Sequence, residues 1–117
     1  MAQDLELSKW AWIMDKTKVE REGSVTKYNT MRKLESEKRI LYIIDTPGRS
    51  KYIKNMITGA SIADAALLIV DSRQKKFEIG LSTGAEMHEQ ILLAFCMGVK
   101  QLIVGVNKMD DPSVNYS

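Results

Sequence analysis

Among 117 residues the chain has a single cysteine and a single histidine, a scarcity that removes several chemistries at the outset. Cys96 has no partner for an internal disulfide and cannot build a multi-cysteine metal site. Within Ile91-Leu92-Leu93-Ala94-Phe95-Cys96-Met97 it reads as a buried structural thiol. The start, Met1-Ala2-Gln3-Asp4-Leu5-Glu6, has neither the basic region nor the apolar core of a targeting segment. No uncharged apolar run approaches bilayer-spanning length, so a cytoplasmic protein without membrane contact is expected, which also suits the lack of disulfides. Charge of one sign is scarce too, since Lys and Arg outnumber Asp and Glu by only +2. Basicity that modest is a weak argument for a nucleic-acid partner. The seven glycines lack one arrangement in particular: no two have the spacing of a glycine-rich phosphate loop, and no Gly-Lys-Ser or Gly-Lys-Thr occurs.

What is present is the make-up of one small globular domain over 1–117, with 44% hydrophobic and 27% charged residues and no internal repeat or domain boundary. Residues 4–22 are rich in helix formers. Trp10, Ile13 and Met14 fall on one side and Asp15, Lys16, Lys18, Glu20 and Arg21 mostly on the other, which predicts an amphipathic helix. Val25 to Leu34 is weakly strand-like, with the charges of an edge strand, and Glu35 to Lys38 reads as a turn. Arg39 to Ile44, Ala65 to Val70 and Gln101 to Val106 are short apolar runs of buried-strand length. Helices are expected from Ser50 to Ala60 and from Ala85 to Met97, the latter stopped by Gly98, with Asp71 to Thr83 as a loop. Strands alternating with helices imply parallel crossovers and a three-layer α/β sheet with helices on both faces.

Two polar segments follow strand runs, where an α/β sheet presents its loops to a ligand. They are Asp45-Thr46-Pro47-Gly48 and Asn107-Lys108-Met109-Asp110. Guanine offers its N1–H and N2 amino group together, and one carboxylate accepts both; Asp110 is the candidate. Asn107 would help fix the base and neighbouring loops, while the aliphatic stem of Lys108 would cover the base face with its ammonium directed elsewhere. Asp45 can orient a water on Mg²⁺, and the N–H of Gly48 can approach a phosphate because no Cβ blocks it. Each segment alone is also good turn chemistry, so a plain polar turn stays open for either. Their order, separated by strand, helix and strand, argues against coincidence.

Further residues carry a resemblance. Tyr52-Ile53-Lys54-Asn55-Met56-Ile57-Thr58-Gly59 and Gly98-Val99-Lys100-Gln101-Leu102-Ile103-Val104-Gly105-Val106-Asn107-Lys108-Met109-Asp110 are similar almost verbatim to the GTPase domain of translation elongation factor 1-alpha. The similarity runs from about Lys9 to Ser117. The ending Asp110-Asp111-Pro112-Ser113-Val114-Asn115-Tyr116-Ser117 is also similar to class-three termination factors. The resemblance implies a P-loop-GTPase-like sheet that binds GTP or GDP with Mg²⁺, and GTP-dependent delivery of aminoacyl-tRNA to the ribosome. A nucleotide exchange factor is a further implied partner, and DNA is not one. It makes Thr26, in Val25-Thr26 of the first switch, a Mg²⁺-ligand candidate beside Asp45; an exposed loop threonine is the alternative.

The chain departs from that family in three places. Gly23-Ser24 replaces the Arg-Gly pair of the first switch, and Arg49 stands where these factors have the histidine that positions the attacking water. Arginine cannot accept a hydrogen bond from water, so hydrolysis by the usual route should fail and no residue is assigned as catalytic. The family's first strand and P-loop would precede Lys9, which leaves the implied sheet incomplete. The strands at Arg39–Ile44 and Ala65–Val70 would then have unpaired facing edges, which invite a strand-donating or self-associating partner. A nucleotide-free interaction module or decayed fragment is the alternative from another class, and a termination or rescue GTPase is a third.

Overall fold

The computed structural model describes residues 11–117, so Trp10 and the first part of the helix expected over 4–22 lie outside the described residues. Two compact units divide the chain, Met1–Gly59 and Ala60–Ser117.

In the first unit the expected helix is not continuous. The N–H groups of Met14 and Asp15 close one turn on the carbonyl of Ala11, at 3.1 and 2.8 Å. The backbone is extended at Thr17, and helix α1 occupies only Lys18–Gly23. Thr17 and Glu20 form a capping box: the threonine hydroxyl accepts from Glu20 N–H at 3.3 Å, and the glutamate accepts from Thr17 N–H at 3.2 Å. Satisfying the donors of a helix start in this way favours starting at Lys18 over continuing from upstream. Asp15 and Glu20, placed by helical spacing on the polar face, are instead buried at 6% and 1% exposure.

Strands β1 (Thr30–Glu35) and β2 (Ile40–Asp45) pair antiparallel, with Thr30 opposite Asp45 and Glu35 opposite Ile40. Their turn is closed by Ser36 N–H on the Arg39 carbonyl at 2.9 Å. A 3₁₀ turn at Ser50–Tyr52 leads into helix α2 (Ile53–Ala60), where the spacing of Tyr52, Ile53, Met56 and Ile57 predicts a helix. Gly59 decides how closely α2 approaches: a Cβ there would lie 2.5 Å from Thr46 Cγ2 and 3.3 Å from Asn29 Nδ2. Two side-chain amides fasten the same contact, Asn29 donating to the Asn55 carbonyl at 2.6 Å and Asn55 to the Lys27 carbonyl at 2.7 Å.

In the second unit β3 (Ala65–Asp71) and β4 (Gln101–Asn107) pair parallel, with Ala65 opposite Gln101 and Asp71 opposite Asn107. The connection carries helices α3 (Gln74–Leu81) and α4 (Glu86–Cys96). Helix α3 corrects the loop expected over Asp71 to Thr83. Its residues, Gln-Lys-Lys-Phe-Glu-Ile-Gly-Leu, are mostly good helix formers, yet Arg73 at the N-cap makes no side-chain capping bond, so the usual start signal is absent. Helix α4 ends as expected at Gly98, whose φ of 94° reverses the chain while Val99 N–H returns to the Ala94 carbonyl at 3.1 Å.

Strands and helices are therefore mixed along the chain, as the α/β class requires, and the four strands form two two-stranded sheets. Among the described residues neither β2 nor β3 has a second strand neighbour. The apolar runs do not behave as buried strands. Leu41 and Tyr42 on β2, Leu67 on β3 and Ile103 on β4 are all more than half exposed. A single sheet neighbour leaves too little cover to hide both faces of such a run. Cys96 is likewise exposed, contrary to its apolar sequence context, because it closes the last turn of α4 while Ala94 takes the buried position. No described helix is long and apolar enough to cross a membrane.

Candidate functional site

The candidate residues divide between the two units, with Thr26 and Asp45 to Gly48 in the first and Asn107 to Asp110 in the second.

In the first unit Glu20 organises the approach to Asp45. Its carboxylate accepts from the Thr17 hydroxyl at 2.5 Å and from the backbone N–H groups of Lys27 and Tyr28 at 2.9 and 3.0 Å. Burial pushes this carboxyl up, but the bonds from Thr17, Lys27 and Tyr28 outweigh it and hold Glu20 at about 2. The fixed segment carries Thr26, whose hydroxyl donates to Asp15 Oδ1 at 3.0 Å. A hydroxyl that gives its proton to a carboxylate keeps its oxygen lone pairs for a cation. Asp45 ends β2 half-buried, and burial, followed by the charges of Asp15 and Glu20, pushes its carboxyl up. Thr46 packs toward the Gly59 position, Pro47 is fully buried and Gly48 is exposed.

These donors suit Mg²⁺ only in company. Among the described residues no three His, Cys, Asp or Glu side chains are grouped to hold a metal ion. Mg²⁺ at phosphates takes one or two protein oxygens and fills its octahedron with water and phosphate, and Thr26 with Asp45 would be such a pair. The negative field around Asp45 favours a cation there. Arg49 is exposed and starts the 3₁₀ turn without a side-chain capping bond.

In the second unit the loop after β4 is braced by the loop after β3. Asn107 accepts from Lys108 N–H at its Oδ1 (2.8 Å) and from Ser72 N–H at its carbonyl (3.0 Å). Lys108 takes a φ of 62°, a left-handed conformation that costs a non-glycine residue on the order of 1 kcal/mol and needs such bracing. Its ammonium donates to Asp71 Oδ2 at 2.9 Å. Arg73 reaches the same carboxylate through Nε at 2.9 Å and Nη2 at 2.5 Å. Hydrogen bonds from Arg73 first, then Lys108, hold Asp71 far below the usual carboxylate range. Met109 is half-buried and its carbonyl accepts from Tyr116 N–H at 2.9 Å. Asp110 is exposed, and among the described residues its carboxylate has no hydrogen-bond or ion-pair partner. An uncommitted carboxylate beside a lysine whose ammonium is already bonded to Asp71 can accept two N–H donors from one edge of a base.

Sequence reasoning missed Asp15, Glu20, Asp71 and Arg73. Thr17-x-x-Glu20 was legible as a capping box, and Asp71 stands at the carboxyl end of a parallel strand, where ligand loops begin.

The elongation factor Tu GTP binding domain matches residues 2–117. Among curated relatives, elongation factor 1-alpha of Aeropyrum pernix is 53% identical over 111 residues, covering 95% of this chain and 25% of the relative. The same factor from Stylonychia lemnae is 54% identical over 108 residues, covering 92% and 24%. That of Euglena gracilis is 50% identical over 109 residues, covering 93% and 24%. The chain thus spans about a quarter of the length of the relatives it matches. With these similarities over nearly all of its residues, the chain belongs to the elongation factor Tu GTP binding domain family of translation elongation GTPases.

Proposed function

We propose that residues 1–117 form part of one GTP-binding domain that reads guanine through Asp110, assisted by Asn107, Lys108 and Met109. Asp45 to Gly48 would meet the phosphate end, where Asp45 and Thr26 attend Mg²⁺. The observation that carries this reading is the uncommitted Asp110 carboxylate in a loop whose lysine ammonium is already bonded to Asp71. Bound Mg²⁺ would neutralise phosphate charge; the residues of this chain orient, with Asp15 fixing the Thr26 hydroxyl and Glu20 fixing the segment that carries it. By family, the whole protein's task would be GTP-dependent delivery of aminoacyl-tRNA to the ribosome, in the cytoplasm and with a nucleotide exchange factor as partner. Arg49 favours a second reading, a nucleotide-binding or nucleotide-free module without hydrolysis, because a guanidinium cannot accept a proton from water.

A titration of the 117-residue chain with a fluorescent GTP analogue and Mg²⁺, chased separately with GTP and ATP, tests the first reading. Weak saturable binding displaced by GTP and not by ATP is expected. Displacement by both, or no binding by a folded sample, would sink the guanine assignment.

A further inference from the structure

The ion cluster at the ends of β3 and β4 has a role that the two sequence motifs do not account for. Asp71 is the residue opposite Asn107 at the carboxyl end of the parallel ladder, so the register sets its carboxylate beside the loop that begins there. Three side-chain donors converge on that one carboxylate: Nε and Nη2 of Arg73, and Nζ of Lys108 across 37 residues of chain. Arg73 also donates its backbone N–H to Asp71 Oδ1 at 3.1 Å, so the acceptor is itself held before Lys108 arrives. Its guanidinium makes the paired contact that fixes a carboxylate's plane as well as its charge.

We propose that Asp71, oriented by Arg73, is a positioning residue for the guanine-type loop: it takes up the Lys108 ammonium so that Asp110 meets its ligand unneutralised. Two features of the loop depend on it. Lys108 holds a left-handed backbone, and the Asp71 contact anchors the side chain at that position while Asn107 Oδ1 anchors its N–H. Freed from Asp71, the ammonium has Asp110 and Asp111 as the acids next along the chain, and Asp111 is already engaged by the Ser113 N–H and hydroxyl at 2.9 and 2.6 Å. Asp110 is the open acceptor. Pairing there would cancel the charge that the base edge needs. The inference rests on the guanine reading only for its ligand; the ordering of the loop stands independently of it.

The test separates the two. Amide hydrogen exchange of the nucleotide-free chain is followed at Lys108 and Asp111, whose N–H groups bond to Asn107 Oδ1 and the Lys108 carbonyl. Asp71→Asn, which keeps the shape of the side chain and removes its charge, is expected to speed exchange there about fivefold relative to the central β3–β4 amides, and Asp71→Glu to restore much of the protection. Affinity for a fluorescent GDP analogue is expected to fall about fivefold in Asp71→Asn, and the effect to vanish when Lys108 is already Met. A residue that only stabilised the fold would still cost affinity in the Lys108→Met background, and that result would overturn the proposal. Unchanged exchange in Asp71→Asn would overturn it as well. Faster loop exchange in a chain that binds no guanine nucleotide would uphold the clamp and reject the function assigned to the loop.

Discussion

The two units of this chain hold their candidate loops by opposite means. In the first, a buried carboxylate does the work: Glu20 is 1% exposed and accepts from Thr17, Lys27 and Tyr28, tying the capped start of α1 to the segment before β1. In the second, the clamp of Asp71, Arg73 and Lys108 lies part-exposed at the end of an apolar ladder. The difference teaches which loop is rigid by construction. Charge-assisted hydrogen bonds out of water are strong and costly to break, whereas exposed ion pairs are screened and tune position more than stability. The phosphate-side candidates therefore rest on a polar core, and the guanine-side candidates on an adjustable brace.

The largest expected effect comes from removing the buried carboxylate. Glu20→Ala strands the Lys27 and Tyr28 N–H groups and removes half of the capping box, and should destabilise by on the order of 4 kcal/mol in denaturant unfolding. Exchange accelerated only within residues 15–59 would sharpen the contrast between the units; equal acceleration along β3 and β4 would erase it. Acid acts on the same group. Because Glu20 is held at about 2, below its unfolded value of 4.5, its contribution is full above about pH 4.5 and disappears as pH falls through 2. Unfolding measured across that window should show the loss in the parent chain and not in Glu20→Gln.

A smaller effect is expected where packing, not charge, sets the first unit. Gly59→Val places carbon against Thr46 Cγ2 and Asn29 and should cost about 2 kcal/mol, read as a lowered unfolding midpoint. Thr46→Ser in the same chain removes the Cγ2 methyl and should recover part of the loss. The smallest effect belongs to the second unit. Cys96→Ser should change stability by no more than about 0.5 kcal/mol, since the thiol is exposed; a loss of several times that size would show it to be a packed core residue.

Several elements were legible in the residues because their signals are local. Arg39–Ile44 and Gln101–Val106 announce strands by length and composition, Gly98 announces the end of α4, and the two polar loops are recognisable by their order. The capping box at Thr17 and Glu20 was equally local, but the run of helix formers over 4–22 masked it. Helix α3 carried good helix formers without a start signal, so nothing marked where a loop should become a helix. The pairing of Asp71 with Lys108 was not legible, since the two are 37 residues apart and meet only through the β3–β4 register.

By itself the sequence determined the chemical identity of the two loops, the strand-forming runs before them and the membership in a GTP-binding translation family. Those depend on residue type and short spacing. Only the tertiary structure decided that Glu20 is buried and Cys96 exposed, and that Lys108 is bonded to Asp71. Burial and ion pairing are settled by what arrives from elsewhere in the chain, and periodicity along one segment does not record it.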